Sequence, residues 1–196
     1  MKAGLMLAVN PNSERETLDF YATDSYAITK AADVFKEIGL CRDVWECACG
    51  KGHLAKPLAD LGYNVFGTDI VDRGYGSVED FLTSDRKWHG DILTNPPFKY
   101  AADFVKKSME VIEDGHLAAF FLKVQFLETT KRVELFNTCG LKYVIVNSER
   151  ICCAKDGEFD KYFKRGKHGE YRGGTQLYCW FVFQKNYNGS PMIKWI

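Results

Sequence analysis

The sequence carries no net charge: 26 Lys and Arg stand against 26 Asp and Glu in 196 residues. No overall field draws such a chain to nucleic acid or anionic lipid, so binding of that kind has to come from a local patch. No apolar run approaches the length of a membrane span, which argues against a membrane protein. The first residues, MKAGLMLAVNPNSERET, hold too short an apolar piece for a secretory signal, so the expected location is intracellular. None of the seven cysteines forms a C-x-x-C pair, which speaks against a zinc knuckle, and no metal is expected. Those cysteines read as small buried apolar side chains in a reducing compartment. There is no internal repeat, low-complexity tract or linker, and the length suits one domain spanning 1–196. Proline is scarce too, five in all, yet two of them are adjacent, at 96 and 97.

What is present is an alternation of strand-like and helix-like segments. Residues 25–38 place Ile28, Ala31, Ala32, Phe35 and Ile38 on one helical face, closed by Gly39. Then come a strand at 43–47, a helix at 53–61, a strand at 64–70, and an irregular stretch at 71–88. A strand at 91–95, a helix at 99–113, an apolar strand at 116–124 and a helix at 128–138 follow. The 116–124 strand, apolar throughout, reads as central and covered on both faces. The last two strands, 142–151 and 175–185, have no helix between them and are expected as an antiparallel pair at one edge of the sheet. This order predicts an α/β chain with a mostly parallel, doubly wound sheet.

The segment DVWECACGKGHLAKPL is a strand, a glycine turn and a helix. Glycines let backbone approach a ligand, and a helix N-terminus offers free N–H groups. A phosphate-binding Walker loop is excluded, because the spacing and the Ser/Thr are missing. Gly50, Gly52 and Ala55 do satisfy the dinucleotide pattern, and a plain turn without a ligand is the bland reading. Glu46 discriminates: an acid at the strand end repels a pyrophosphate and welcomes an ammonium group. S-adenosylmethionine carries an ammonium and a sulfonium and no phosphate. Asp69 ends the next strand, where a ribose-binding acid belongs.

In GDILTNPPFKY an apolar strand stops at Asn95-Pro96-Pro97-Phe98. Side chains at the C-terminal ends of parallel strands face the ligand crevice. The Asn95 side-chain oxygen and the Pro96 carbonyl are two acceptors able to hold one –NH₂ group. The prolines fix φ, so the pair is preorganised, and Phe98 offers a face for a planar base. Taken alone, the segment also reads as a Pro-rich turn before a helix.

Together these residues resemble the class I S-adenosylmethionine-dependent methyltransferases, specifically the amino-methyltransferases that modify adenine in DNA. NPPF at 95–98 is similar to their catalytic tetrapeptide, ECACGKG to their cofactor loop, and TDI, ending at Ile70, to their ribose-binding acid. FYATD, with Tyr21 and Thr23, is similar to the segment covering the methionine end of the cofactor. EDFL, with Asp80 and Phe81, is similar to the segment that holds its adenine. The resemblance implies a single Rossmann-like domain with a seven-stranded sheet and an antiparallel C-terminal strand pair. It implies S-adenosyl-L-methionine bound by Tyr21, Thr23, Glu46, Ala48, Gly50, Gly52, Asp69, Ile70, Asp80, Phe81 and Asn95. It further implies methyl transfer to a flipped-out adenine at Asn95, Pro96, Pro97 and Phe98. The pattern departs at Cys47 and at Asp24, where the family more often has Pro. The chain has no room for a separate target-recognition domain, which resembles small orphan enzymes of bacteria and phages and would place it in such a cytoplasm.

The segment 152–174 between the last two strands is the expected DNA contact. It carries Lys161, Lys164, Arg165, Lys167 and Arg172 among Phe159, Tyr162, Phe163 and Tyr171. Basic side chains interleaved with aromatics grip phosphates and stack bases. A solvated surface loop is the alternative, because Asp156, Glu158, Asp160 and Glu170 dilute the charge. Arg73, Tyr75, Arg86 and Lys87 in 71–88 form a second candidate contact. The same tetrapeptide occurs in enzymes acting on RNA bases or on a protein glutamine, and a non-catalytic cofactor- or partner-binding protein is a further reading. Monomer and dimer are both open.

Overall fold

The computed structural model describes residues 20–196; the residues that speak to a secretory signal lie outside them. The strands are β1 (Tyr21–Thr23), β2 (Asp43–Glu46), β3 (Asn64–Asp69), β4 (Ser77–Val78), β5 (Asp91–Thr94) and β6 (Leu117–Lys123), then β7 (Leu141–Val146), β8 (Cys153–Lys155), β9 (Lys164–Arg165), β10 (Tyr171–Arg172), β11 (Tyr178–Gln184) and β12 (Met192–Trp195). The helices are α1 (Tyr26–Glu37), α2 (Ala55–Asp60), α3 (Ala101–Val111), α4 (Thr130–Cys139) and α5 (Phe159–Tyr162). The central sheet runs β4-β3-β2-β5-β6-β11-β7-β12. All its pairs are parallel except the two made by β11. This is the doubly wound, Rossmann-like α/β sheet.

Period-two alternation on the two central strands builds the layers. Ala118, Phe120 and Leu122 of β6, with Phe181 and Phe183 of β11, face one core with Phe104, Val105 and Leu135 from α3 and α4. Ala119 and Phe121, with Trp180 and Val182, face the other, against Ile28, Ala31 and Phe35 of α1 and Leu58 of α2. The first helix buries Ala27, Ile28, Ala31 and Phe35, close to the face its spacing predicts. Gly140, at φ 70°, ends α4 in the left-handed conformation that glycine adopts without strain.

The central sheet has eight strands, close to the seven expected, and β7 and β11 do pair antiparallel. One expectation needs correction: that pair does not lie at the edge. β11 inserts between β6 and β7, where all but the last of its residues are buried. β12 then pairs in parallel outside β7, and the chain end is tied down by Ile196 N–H to the Val146 carbonyl (3.0 Å). An apolar strand such as β7 is left half-paired if it lies at an edge, and β12 supplies its missing ladder. The segment 152–174 is likewise no plain loop. It holds β8, α5 and the β9–β10 hairpin, and β8 pairs antiparallel with β1, Thr23 opposite Cys153. No helix among the described residues is long and apolar enough to cross a membrane.

Candidate active site

The chain order reverses between β2 and β5, so the loops leaving these neighbours diverge and open a crevice at their C-terminal ends. A cavity of about 790 Å³ occupies that place, a volume in the range of small-ligand sites. Of the residues expected to bind cofactor, Tyr21, Ala48, Asp69, Ile70, Asp80, Phe81 and Asn95 line it. Pro96, Pro97 and Phe98 line it as well. Thr23, Glu46, Gly50 and Gly52 do not; they brace the residues that do.

The glycine loop shows why glycine is needed. Gly50 has φ 53°, and a Cβ there would run into the Phe20 ring. Gly52 has φ 80°, and a Cβ there would meet the Tyr75 ring at 2.7 Å. Both positions are left-handed and roofed by aromatic rings, so any side chain is both strained and blocked. Asp69 crosses from the next strand to hold the loop: its Oδ2 accepts the Gly50 N–H at 2.8 Å and its Oδ1 the Val71 N–H at 3.0 Å. Arg73 lies beside it, with its guanidinium 4.8 Å from the centre of the Phe20 ring. Asp80 caps its own turn through the Leu82 N–H (3.0 Å) and the Thr83 hydroxyl (3.2 Å). Phe81 packs edge-on to Trp45 at 5.1 Å and against Phe104 at 5.0 Å, so its ring belongs to the core at the cavity wall.

Glu46 is only 2% exposed and lies below the cavity rather than in its lining. It accepts the Thr94 hydroxyl at 2.5 Å and the Ala48 N–H at 3.3 Å. Burial raises its pKa to about 8, although both hydrogen bonds pull the other way. The carboxyl is therefore largely neutral at pH 7 until a cation nearby draws out its charge.

Asn95 carries the clearest signature. Its Nδ2 donates to the Tyr21 carbonyl at 3.0 Å and to the Thr23 hydroxyl at 2.8 Å, so both hydrogens are taken. Its Oδ1 is buried and has no protein partner. Turning the amide over would set Oδ1 against the Tyr21 carbonyl, acceptor against acceptor, so the network fixes the oxygen as the open end. The Phe98 ring stands 6.4 Å from that of Tyr21 and 6.0 Å from that of Tyr178. Lys123 Nζ lies 5.2 Å from the Phe98 ring centre. Neither Lys123 nor Tyr178 is singled out by sequence; they face each other across the β6–β11 ladder, Lys123 at the end of β6, the strand next to β5.

The expected contact segments fare differently. Phe159 and Tyr171 do not offer faces to bases: they are 7% and 8% exposed and stack on each other at 4.7 Å. With Ala22, Cys152 and Ala154 they form a small core of their own. Lys161 pairs with Glu158 (2.6 Å), Arg165 with Asp160 (3.5 Å) and Arg172 with Glu170 (2.7 Å). Lys164 and Lys167 are exposed. In 71–88, Arg86 is held by Glu79 at 2.9 Å and Tyr75 covers Gly52. Burial pushes the Cys153 thiol up to about 12 and raises Cys152, which leaves this pair as unreactive thiols.

The departure at position 24 has a structural reason. The Asp24 N–H donates to the Cys152 carbonyl at 3.0 Å, a bond proline cannot make. Its carboxylate accepts the Tyr26 N–H at 3.1 Å and the Tyr171 N–H at 2.7 Å, joining the start of α1 to the 152–174 segment.

No family model matches the sequence, and no curated protein matches it either. Solved structures do share the fold. The type IIG restriction endonuclease BpuSI aligns over 91% of this chain with a TM-score of 0.59 at 15% identity. This chain spans only 27% of BpuSI. A candidate RNA methyltransferase from Pyrococcus horikoshii aligns over 84% of this chain and 86% of its own, with a TM-score of 0.56 at 14% identity. A candidate class I S-adenosylmethionine-dependent methyltransferase from Listeria monocytogenes aligns over 87% of this chain and 63% of its own, with a TM-score of 0.56 at 11% identity. At these identities the likeness is one of fold.

Proposed function

We propose that the chain transfers a methyl group from S-adenosyl-L-methionine to the exocyclic amine of adenine in DNA. The observation that carries the reading is the Asn95 amide in the cavity lining, with both N–H groups occupied and a buried oxygen that has no protein partner. An open acceptor of that kind fits a substrate N–H. Methyl transfer as the reaction is supported by the candidate methyltransferases among the structures that share the fold, one of them named for RNA, and the same fold occurs in a restriction endonuclease.

The residues present fit the cofactor. Cys47, Ala48 and the acid Asp69 line the cavity, with Gly50 held behind them by Asp69, and Asp80 and Phe81 line it as well. When bound, the cofactor supplies a methyl group made electrophilic by its sulfonium. Glu46, neutral and buried when nothing cationic is near, gains its charge beside a bound ammonium. Asn95 Oδ1 and the Pro96 carbonyl accept the two hydrogens of a planar amine. Holding both hydrogens favours the more tetrahedral nitrogen and turns its lone pair toward the methyl group. Phe98 stacks on the ring that bears the amine. A duplex base reaches such a site only when extruded from the stack. Asn95 cannot act as a base, so the extra proton leaves to water.

The test offers tritiated methyl donor with duplex DNA, single-stranded DNA, RNA and whole-cell protein as acceptors. Label in adenine of DNA is expected, and label confined to protein overturns the reading. Asn95→Ala is expected to lower turnover about 10²- to 10³-fold, the cost of removing one preorganised partner of the transition state. Cofactor binding, followed by calorimetry, stays within severalfold.

A further inference from the structure

Thr23 belongs to the segment expected to cover the methionine end of the cofactor, yet its side chain is not part of the cavity wall. It is 2% exposed, and its hydroxyl lies 2.8 Å from Asn95 Nδ2. The other Asn95 hydrogen goes to the backbone carbonyl of Tyr21, two residues earlier on the same short strand. Strand β1 therefore presents two acceptors at the spacing of one –NH₂ group. A primary amide has two donors on nitrogen and acceptor sites on oxygen. When both donors are consumed from behind, the oxygen is the only part left to meet a ligand. The Tyr21 carbonyl sets the sense of the amide, since it can only accept. The Thr23 hydroxyl fixes the second hydrogen and with it the plane.

We infer that Thr23 is a positioning residue for the acceptor amide of Asn95, and that β1 thereby works on the substrate amine rather than on the cofactor. The inference rests on the methyl-transfer reading for its kinetic consequence, though not for the geometry. It also assigns β8 a task. β8 pairs with β1 residue for residue, Thr23 opposite Cys153, and so backs the strand that holds the amide. The Cys153 thiol also reaches the Thr23 hydroxyl, at 3.9 Å, a far weaker contact.

Thr23→Val keeps the shape and removes the oxygen, leaving one buried Asn95 N–H unpaired. A donor stranded in this way no longer holds the amide plane, and kcat is expected to fall roughly ten- to hundredfold. Cofactor affinity is expected to remain within about twofold, and Thr23→Ser is expected to restore kcat. The orientation has its own readout. In ¹⁵N-labelled protein the two Asn95 side-chain amide protons, identified by their loss in Asn95→Asp, are expected to be protected from solvent exchange. In Thr23→Val one of them loses that protection, and in Thr23→Ser it regains it. If Thr23→Val does not fold, Thr23→Ala carries the same comparison. Unchanged protection in the hydroxyl-less variant overturns the inference. So does a loss of cofactor affinity with kcat intact, which makes Thr23 a cofactor contact. Should the wild-type chain methylate none of the acceptors, the proposed function fails, and the exchange measurement alone still decides the positioning role.

Discussion

The cavity wall and the 152–174 segment are both rich in polar residues, and they use them in opposite ways. Around the cavity polar side chains reach across between elements: Asp69 holds Gly50, Glu46 holds Thr94, and β1 holds Asn95. The Asp69 and Glu46 bonds are buried, and one acceptor, the buried Asn95 Oδ1, is left over. In 152–174 most of the charges lie outside and pair with acids close in sequence, such as Lys161 with Glu158 and Arg165 with Asp160. Such exposed pairs add little stability. What anchors that segment is its apolar underside and one buried carboxylate, Asp24. A polar region that strains toward an unfilled partner marks a site. A polar region that satisfies itself marks a surface, until something competes for its charges.

The largest effect that separates the two regions is one of pH. Glu46 titrates near 8 in the folded chain against 4.5 when free, so between those values the native state holds a proton that the unfolded chain has released. Stability from this group is complete below 4.5 and is lost as pH rises toward 8. The slope is at most about 1.4 kcal/mol per pH unit, and the whole window is worth on the order of 4 kcal/mol. His53 acts in the other direction below its ordinary value, because burial and the nearby Lys56 and Lys51 favour its neutral form. The measurement is therefore a difference: urea unfolding of wild type and Glu46→Gln at pH 5, 6, 7 and 8. The variant keeps groups able to meet Thr94 and Ala48, and it is expected to gain relative stability steadily toward pH 8. Parallel curves show that Glu46 does not carry the charge argument. Adding S-adenosylmethionine to the wild type is expected to offset the loss, since a bound ammonium compensates the carboxylate.

The next effect breaks the other region from below. Asp24→Ala strands the Tyr26 and Tyr171 N–H groups, the second of them buried. The expected cost is about 1–3 kcal/mol in a denaturant midpoint. Because Tyr171 and β8 back β1, a loosened 152–174 segment is also expected to slow turnover beyond what lost stability explains. Full activity in a destabilised Asp24→Ala sample shows that the segment and the Asn95 brace are independent.

Which of these features sequence shows depends on how far apart the partners lie. Asp69 and Asn95-Pro96-Pro97-Phe98 are legible because such residue types stand out at strand ends, and the structure brings them to one cavity, with Gly50 bonded to Asp69 behind it. The long central strands are legible because both faces are buried and the runs are apolar throughout. β12 is not: four residues after Pro191, three of them exposed, give no periodic signal, and only the ladder of β7 calls for them. The role of Thr23 is hidden because its partner is 72 residues away. Phe159 and Tyr171 look like surface aromatics because their neighbours in sequence are charged, while the residues that bury them are Ala22, Cys152 and Ala154. Asp24 shows as a departure from a pattern, and its reason is a contact 147 residues distant.

The smallest expected effect tests whether the self-satisfied surface does anything outward. Lys164→Ala with Arg165→Ala removes two cations from the β9 strand of the hairpin. Arg165 is already engaged, 3.5 Å from Asp160 and 4.2 Å over the Tyr171 ring, so a phosphate has to draw it away from both. Lys164 is exposed and appears in no ion pair among the described residues. A phosphate contact contributes about 0.9 to the slope of log K against log salt on duplex DNA. The double variant is therefore expected to lower that slope by roughly one rather than two. At low salt, affinity for duplex DNA falls by severalfold, read by fluorescence anisotropy over a salt series. A slope that does not move takes the hairpin out of nucleic-acid binding. The work of 152–174 is then internal: it backs β1, and through β1 the amide of Asn95.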